Sequence, residues 1–210
     1  MLAVSYLFLG GTPFIYQGQE IGMTNWYPSD PSMYEDVQTR WQYENVATKK
    51  SPEKRLQRLW HGSRDSARTP VQWDDSDNAG FTTGTPWFYV NDNYKEINVA
   101  AQEKDADSVL NFYRQAIALR KSLSCVRYGK YQEYGKHSSK LYTYSREDDK
   151  QKILVVCSYS ESTETWKIPV GFDMSSAKVL LDNYQQADLG VVNHAVLMPY
   201  EARVYCWDKK

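Results

Sequence analysis

The sequence predicts a mixed architecture: helices and long loops up to residue 123, then an antiparallel β-sandwich of about 85 residues. Two observations predict it. Apolar residues keep a helical period as far as Leu123, then switch to alternation. Beyond Ser124, strand-like runs follow one another with turn residues between them and no helix. The expected domains are therefore 1–123 and 124–210, and a chain of 210 residues is long enough to bury a sizeable core.

Taken in order, residues 1–9 read as the end of a helix, stopped by Gly10-Gly11. Pro13 opens the short apolar run Phe14-Ile15-Tyr16, which suits a buried strand. Asn25 to Pro31 is loop. Asp36 to Thr48 has a helical pattern with a thin apolar face. Ser51-Pro52-Glu53 starts another helix, with Ser as N-cap, Pro at the first helical position and an acid in the first turn. Gly62 ends it. For residues 64–70, Pro70 and the polar context favour a loop, and 74–105 reads as a long ordered loop rich in Asp, Asn, Gly, Thr and Pro. Asp107 to Leu123 is the clearest helix, with Val109, Phe112, Tyr113, Ala116, Ile117 and Leu123 on one face. Strands are expected over Tyr128–Tyr134, Lys140–Arg146, Lys152–Ser160, Thr163–Val170, Ala177–Asn183 and Val196–Trp207.

Composition narrows the function classes. A net charge of −1 and a sequence pI near 6.3 give no electrostatic reason to expect nucleic acid or an anionic membrane as partner. Mean hydropathy is −0.67 and no long apolar run occurs, so no membrane span is expected. The apolar start lacks a basic lead and a small-x-small cleavage site, which argues against a signal peptide. Three cysteines, Cys125, Cys157 and Cys206, are too few and scattered for a disulfide framework or a zinc site; Cys157 and Cys206 lie in apolar strand patterns and are expected to be buried free thiols, in a reducing, cytoplasmic setting. The 17 Tyr and 7 Trp suit a β-domain, and equally a carbohydrate surface, because flat rings with polar edges stack on sugar faces.

Two stretches carry the candidate chemistry. In Arg64-Asp65-Ser66-Ala67-Arg68-Thr69-Pro70-Val71-Gln72-Trp73, either arginine can span neighbouring sugar oxygens with its fork of donors. The competing reading is structural: Arg64 or Arg68 paired with Asp65 or Glu20 to hold a loop. In Gly11-Thr12-Pro13 through Gln19-Glu20-Ile21-Gly22-Met23, Glu20 follows an apolar run, where β/α barrels place binding residues, or is a plain loop carboxylate. Trp73-Asp74-Asp75-Ser76-Asp77-Asn78 lacks the twelve-residue loop and terminal Glu of a calcium site and reads as a solvated turn. His61, His137 and His194 are isolated. Neither a metal site nor a cofactor is expected.

These stretches, together with Asn78-Ala79-Gly80-Phe81-Thr82-Thr83-Gly84, Asn93-Tyr94-Lys95-Glu96-Ile97-Asn98-Val99, Ala118-Leu119-Arg120-Lys121 and Pro199-Tyr200-Glu201-Ala202, strongly resemble glycoside hydrolase family 13. The likeness is to its oligo-1,6-glucosidase, α-glucosidase and trehalose-6-phosphate hydrolase group. It implies that this sequence is the C-terminal fragment of a (β/α)₈ barrel, with its last strand and helices, followed by the antiparallel β-sandwich domain C. It also implies an exo-acting, retaining α-glucosidase acting on short oligosaccharides. In that setting Arg64 looks like the arginine that holds the terminal glucose and Glu20 the acid beside the next sugar, with Gln19 adjacent; Arg68 and Trp73 brace the loop, and 25–61 forms a lid.

The family's catalytic carboxylates, in a Gly-Phe-Arg-x-Asp motif, a separate Glu and a His-Asp pair, have no match here. No histidine is followed by Asp, and Gly171-Phe172-Asp173 lacks the Arg. Retaining hydrolysis needs two carboxyl groups ~5–5.5 Å apart, and a barrel needs roughly 250 residues. The expectation is thus a chain without catalytic residues, inactive by itself, whose partners are an oligosaccharide and the missing N-terminal part of the barrel. The alternatives are a stand-alone carbohydrate-binding or interaction module built on the β-sandwich, and a truncated product. Linkage specificity is left open.

Overall fold

The computed structural model describes residues 1–46, 48–185 and 193–209. Its helices are α1 (Leu2–Leu7), α2 (Val37–Asn45), α3 (Pro52–Trp60), α4 (Val99–Lys104), α5 (Val109–Ser122) and α6 (Ser124–Tyr128). Its strands are β1 (Lys130–Tyr134), β2 (Leu141–Glu147), β3 (Gln151–Ser158), β4 (Glu164–Lys167), β5 (Lys178–Asp182), β6 (His194–Leu197) and β7 (Ala202–Asp208). Two compact units result, one of Met1–Phe14 with Phe112–Lys210 and one of Ile15–Asn111.

In the first unit β1-β2-β3-β7-β5 form a sheet whose neighbours are all antiparallel, and β4 pairs antiparallel with β6. The run Ile153-Leu154-Val155-Val156-Cys157 shows no polar alternation because both faces of β3 are covered. Ile153, Val155 and Cys157 join Val4, Leu7, Phe8, Ala116 and Val126 of the helices. Leu154 and Val156 join Trp166, Ile168, Ala195 and Leu197 of the small sheet, where Trp166 stacks on Tyr205 at 6.0 Å. The β-rich part is thus two antiparallel layers with helices on the outer face of the larger sheet.

Helices from the first stretch complete the core of the sheet, so residues before 15 and after 111 share one compact unit. Arg120 of α5 donates to the carbonyls of Leu7, Leu9 and Gly11, which serves backbone groups that the end of α1 leaves without partners. Val196–Trp207 is not one strand. The chain turns after β6, with Tyr200 at φ 54°, and restarts at Ala202. Buried Glu201 fastens that turn: it accepts from Met198 N–H at 2.6 Å and pairs with Arg203 at 2.5 Å. The Pro199–Ala202 motif is accounted for by that structural role.

The start of the expected first strand, near Tyr128, is instead the end of α6, whose last carbonyls at Cys125 and Val126 accept from buried Arg146. Gly129 follows. A Cβ there would run into the carbonyl oxygen of Cys125 and lie 2.8 Å from that of Glu147, so no other residue fits. No helix among the described residues is long and apolar enough to cross a membrane.

The second unit has a small aromatic core of Trp26, Tyr34, Leu56, Leu59 and Phe88. α2 and α3 start on Asp36 and Ser51, whose side chains accept from Thr39 N–H and Lys54 N–H. The long 74–105 segment is ordered, and it contains α4, started by Asn98, which a mostly polar sequence hides from periodicity. Side-chain amides replace regular ladders here: Asn91 donates to the carbonyls of Thr24 and Asn25, and Gln72 to that of Ile97. Phe14-Ile15-Tyr16 is not a strand. Its residues are exposed and pair with no strand among the described residues, and an extended run without a ladder partner has nothing to bond its backbone.

Candidate substrate-binding site

Arg64–Arg68 is a turn of 3₁₀ helix, not a loop, because Ser63 caps it by accepting from Asp65 N–H and Pro70 lies just beyond its end. One face of this turn is electrostatic. Arg64 donates to Asp36 Oδ1 at 2.5 Å, Arg68 donates to Asp65 Oδ1 at 3.0 Å, and Arg68 also lies 3.9 Å from Asp36. Both carboxylates are buried, while the Arg64 side chain stays 62% exposed. Asp65 Oδ2 accepts from the backbone N–H groups of Glu35 and Asp36 at 2.8 and 3.0 Å. Burial works against ionisation of Asp36, but hydrogen bonds from Thr39 and Arg64 outweigh it and hold this carboxyl below its ordinary value.

Other residues of the turn line a cleft of ≈ 290 Å³, to which Arg64, Arg68 and Glu20 do not contribute. Ser63, Ser66, Ala67 and Thr69 form one wall, and Tyr16, Gln17, Gln19, Thr24 and Asn25 contribute to the other. Tyr16 Oη donates to the Ala67 carbonyl at 2.7 Å and Trp26 N–H to Ser66 Oγ at 3.3 Å, which ties the two stretches together. The lining mixes hydroxyl and carboxamide groups with apolar surface from Met23 and Ala67, a combination that can meet both the hydroxyls and the faces of a sugar.

The four candidate residues thus separate into three settings. Arg64 and Arg68 share the carboxylate face of the turn. Gln19 lines the cleft and accepts from Tyr16 N–H at 3.3 Å. Glu20, on the 3₁₀ turn Gln19–Ile21, has a buried Oε2 with no hydrogen-bond partner among the described residues, an acceptor left open. Both readings of the arginines are represented. Arg68 makes the structural pair with Asp65, whereas the partner of Arg64 is Asp36 and not Glu20. Sequence reasoning missed Asp36 as a site residue; its place at the head of α2 marked it only as a helix start. Trp73 is 50% exposed and its backbone N–H donates to the Ala79 carbonyl, at a reversal where Asn78 and Ala79 both have φ 56°.

Residues 1–129 match the model of the Alpha-amylase family, described as alpha amylase, catalytic domain. The chain is 39% identical to an oligo-1,6-glucosidase of Parageobacillus thermoglucosidasius over 98% of its own length and 37% of the relative's. It is 38% identical to a trehalose-6-phosphate hydrolase of Bacillus subtilis (strain 168), with the same coverage. Among solved structures, the trehalose-6-phosphate hydrolase of Bacillus licheniformis superposes with a TM-score of 0.91 at 37% identity, over 99% of this chain and 38% of that one. The isomaltulose synthase of Klebsiella sp. LX3 gives 0.85 at 36% identity, over 98% and 37%. The chain spans about 37% of the length of the curated relatives it matches.

Proposed function

Because this chain belongs to the alpha-amylase family, we propose that it is the C-terminal portion of an exo-acting, retaining α-glucosidase that hydrolyses terminal bonds of short isomalto- and malto-oligosaccharides. Its contribution is substrate binding. Arg64 holds the terminal glucose, Gln19 and Glu20 meet the neighbouring sugar, and Arg68 steadies the turn that carries Arg64. The carboxylate pair that cleaves the bond is expected from the part of such an enzyme that these 210 residues do not span. The retained chain by itself is therefore expected to bind without turning over.

One observation carries this reading. Arg64 is anchored by a buried carboxylate at 2.5 Å and yet is 62% exposed, so its fork is oriented while part of it faces outward. Held at one end by a buried carboxylate, the guanidinium keeps donors free, and a pair of sugar hydroxyls needs such a fork. Titration of the chain with isomaltose, followed by its amide NMR signals, tests it. Saturable shifts around residues 63–69 that disappear in Arg64→Ala are expected; equal affinity in that variant would refute the assignment.

A further inference from the structure

We infer that Asp36 is the positioning residue for Arg64, and that it couples the 25–61 segment to sugar binding. This rests on the proposed role of Arg64. Two of the contacts between the segments are reciprocal. Asp65, from the arginine turn, takes the backbone N–H groups of Glu35 and Asp36, and Asp36 in return takes the Arg64 guanidinium on Oδ1. Its other oxygen, Oδ2, is bound by Thr39 N–H at 3.0 Å and Thr39 Oγ1 at 2.7 Å.

Asp36 is thus fixed on all sides. Its backbone is held by Asp65, one oxygen is fixed by the first turn of α2, and the remaining oxygen faces Arg64. An arginine side chain exposed to this extent samples many rotamers unless a partner selects one. A buried, immobile carboxylate is such a partner, and its charge-assisted bond is directional. If the segment carrying Asp36 moves away, Arg64 loses its orientation, so the sugar-holding arginine is set only while residues 35–39 are docked on the turn.

The test separates positioning from mere support. Asp36→Asn keeps a good N-cap for α2, since Asn caps as well as Asp, but removes the charge that holds Arg64. In the whole 210-residue chain it should lower the melting temperature only modestly, because the cap is kept, and weaken isomaltose binding about tenfold, the size of one charge-assisted hydrogen bond. Rotation about the Arg64 Nε–Cζ bond, read from its guanidinium NMR signals, should become faster. In an Arg64→Ala background Asp36→Asn should cost no further affinity.

Additive losses in that double variant, or unchanged guanidinium signals in Asp36→Asn, would overturn the inference. If Arg64→Ala leaves binding intact, or the unsubstituted chain binds no isomaltose, the proposed role of Arg64 falls, and the guanidinium signals alone decide whether Asp36 holds it.

Discussion

Cys125, Cys157 and Cys206 show what side-chain chemistry the sequence reveals and what it conceals. All three are free and buried, as the apolar strand patterns around Cys157 and Cys206 predict for those two. Burial pushes the thiols of Cys125 and Cys157 up to about 12 and raises that of Cys206 as well. In the folded chain they hold their protons above the ordinary thiol value of about 8.5, so the folded state binds more protons than the unfolded one at higher pH. Their contribution to stability is therefore full below about pH 8.5 and is lost progressively as pH rises towards about 12. At pH 8 an aromatic disulfide reagent should modify none of the three in the native chain and all three in guanidinium; rapid native labelling would contradict their burial. The partner of Arg64 was not legible in the same way. Asp36 lies 28 residues away, and no local pattern reveals which distant carboxylate a folded loop brings into reach. The open Oε2 of Glu20 is likewise a product of tertiary packing.

Elements were legible where a local signal sufficed. The Ser51-Pro52-Glu53 start, the helix now bounded as Val109–Ser122 and the continuous apolar run of β3 each carry their own cue. Elements that depend on side-chain bonds from elsewhere were not. The end of α6 is satisfied by Arg146 from the sheet, whereas α4 has a local cap in Asn98 but is too short to show a period. The Phe14–Tyr16 run failed for the opposite reason: its apolar content is real, but a strand exists only with a neighbour. Arg120 gives this level its test. It bonds three carbonyls at the end of α1, so Arg120→Ala should destabilise the chain by about 1.5–3 kcal/mol, the usual worth of charged hydrogen bonds. Urea unfolding should show a lower midpoint with an unchanged slope. A midpoint equal to that of the unsubstituted chain would mean that α1 is held by its apolar contacts and the Tyr144 hydroxyl without help from Arg120.

For the molecule as a whole, the family and the order of helices before an antiparallel β-rich part were readable from residue patterns, and the alpha-amylase match over residues 1–129 agrees with them. The compact units were not readable, because α1 and α5 pack into the core of the sheet although they precede it in the chain. What the 210 residues hold is an arginine oriented by a buried acid and a cleft lined with hydroxyls and amides. In the proposed reading these grip a sugar; protonating a leaving oxygen and attacking an anomeric carbon require a matched carboxyl pair. The central claim is that gripping and cleaving are divided, with only the first in this chain. Its most direct test is glucose release from isomaltose and p-nitrophenyl α-glucoside by the purified 210-residue chain. No release above the buffer rate is predicted, and steady turnover that scales with protein and is lost in Arg64→Ala would contradict it.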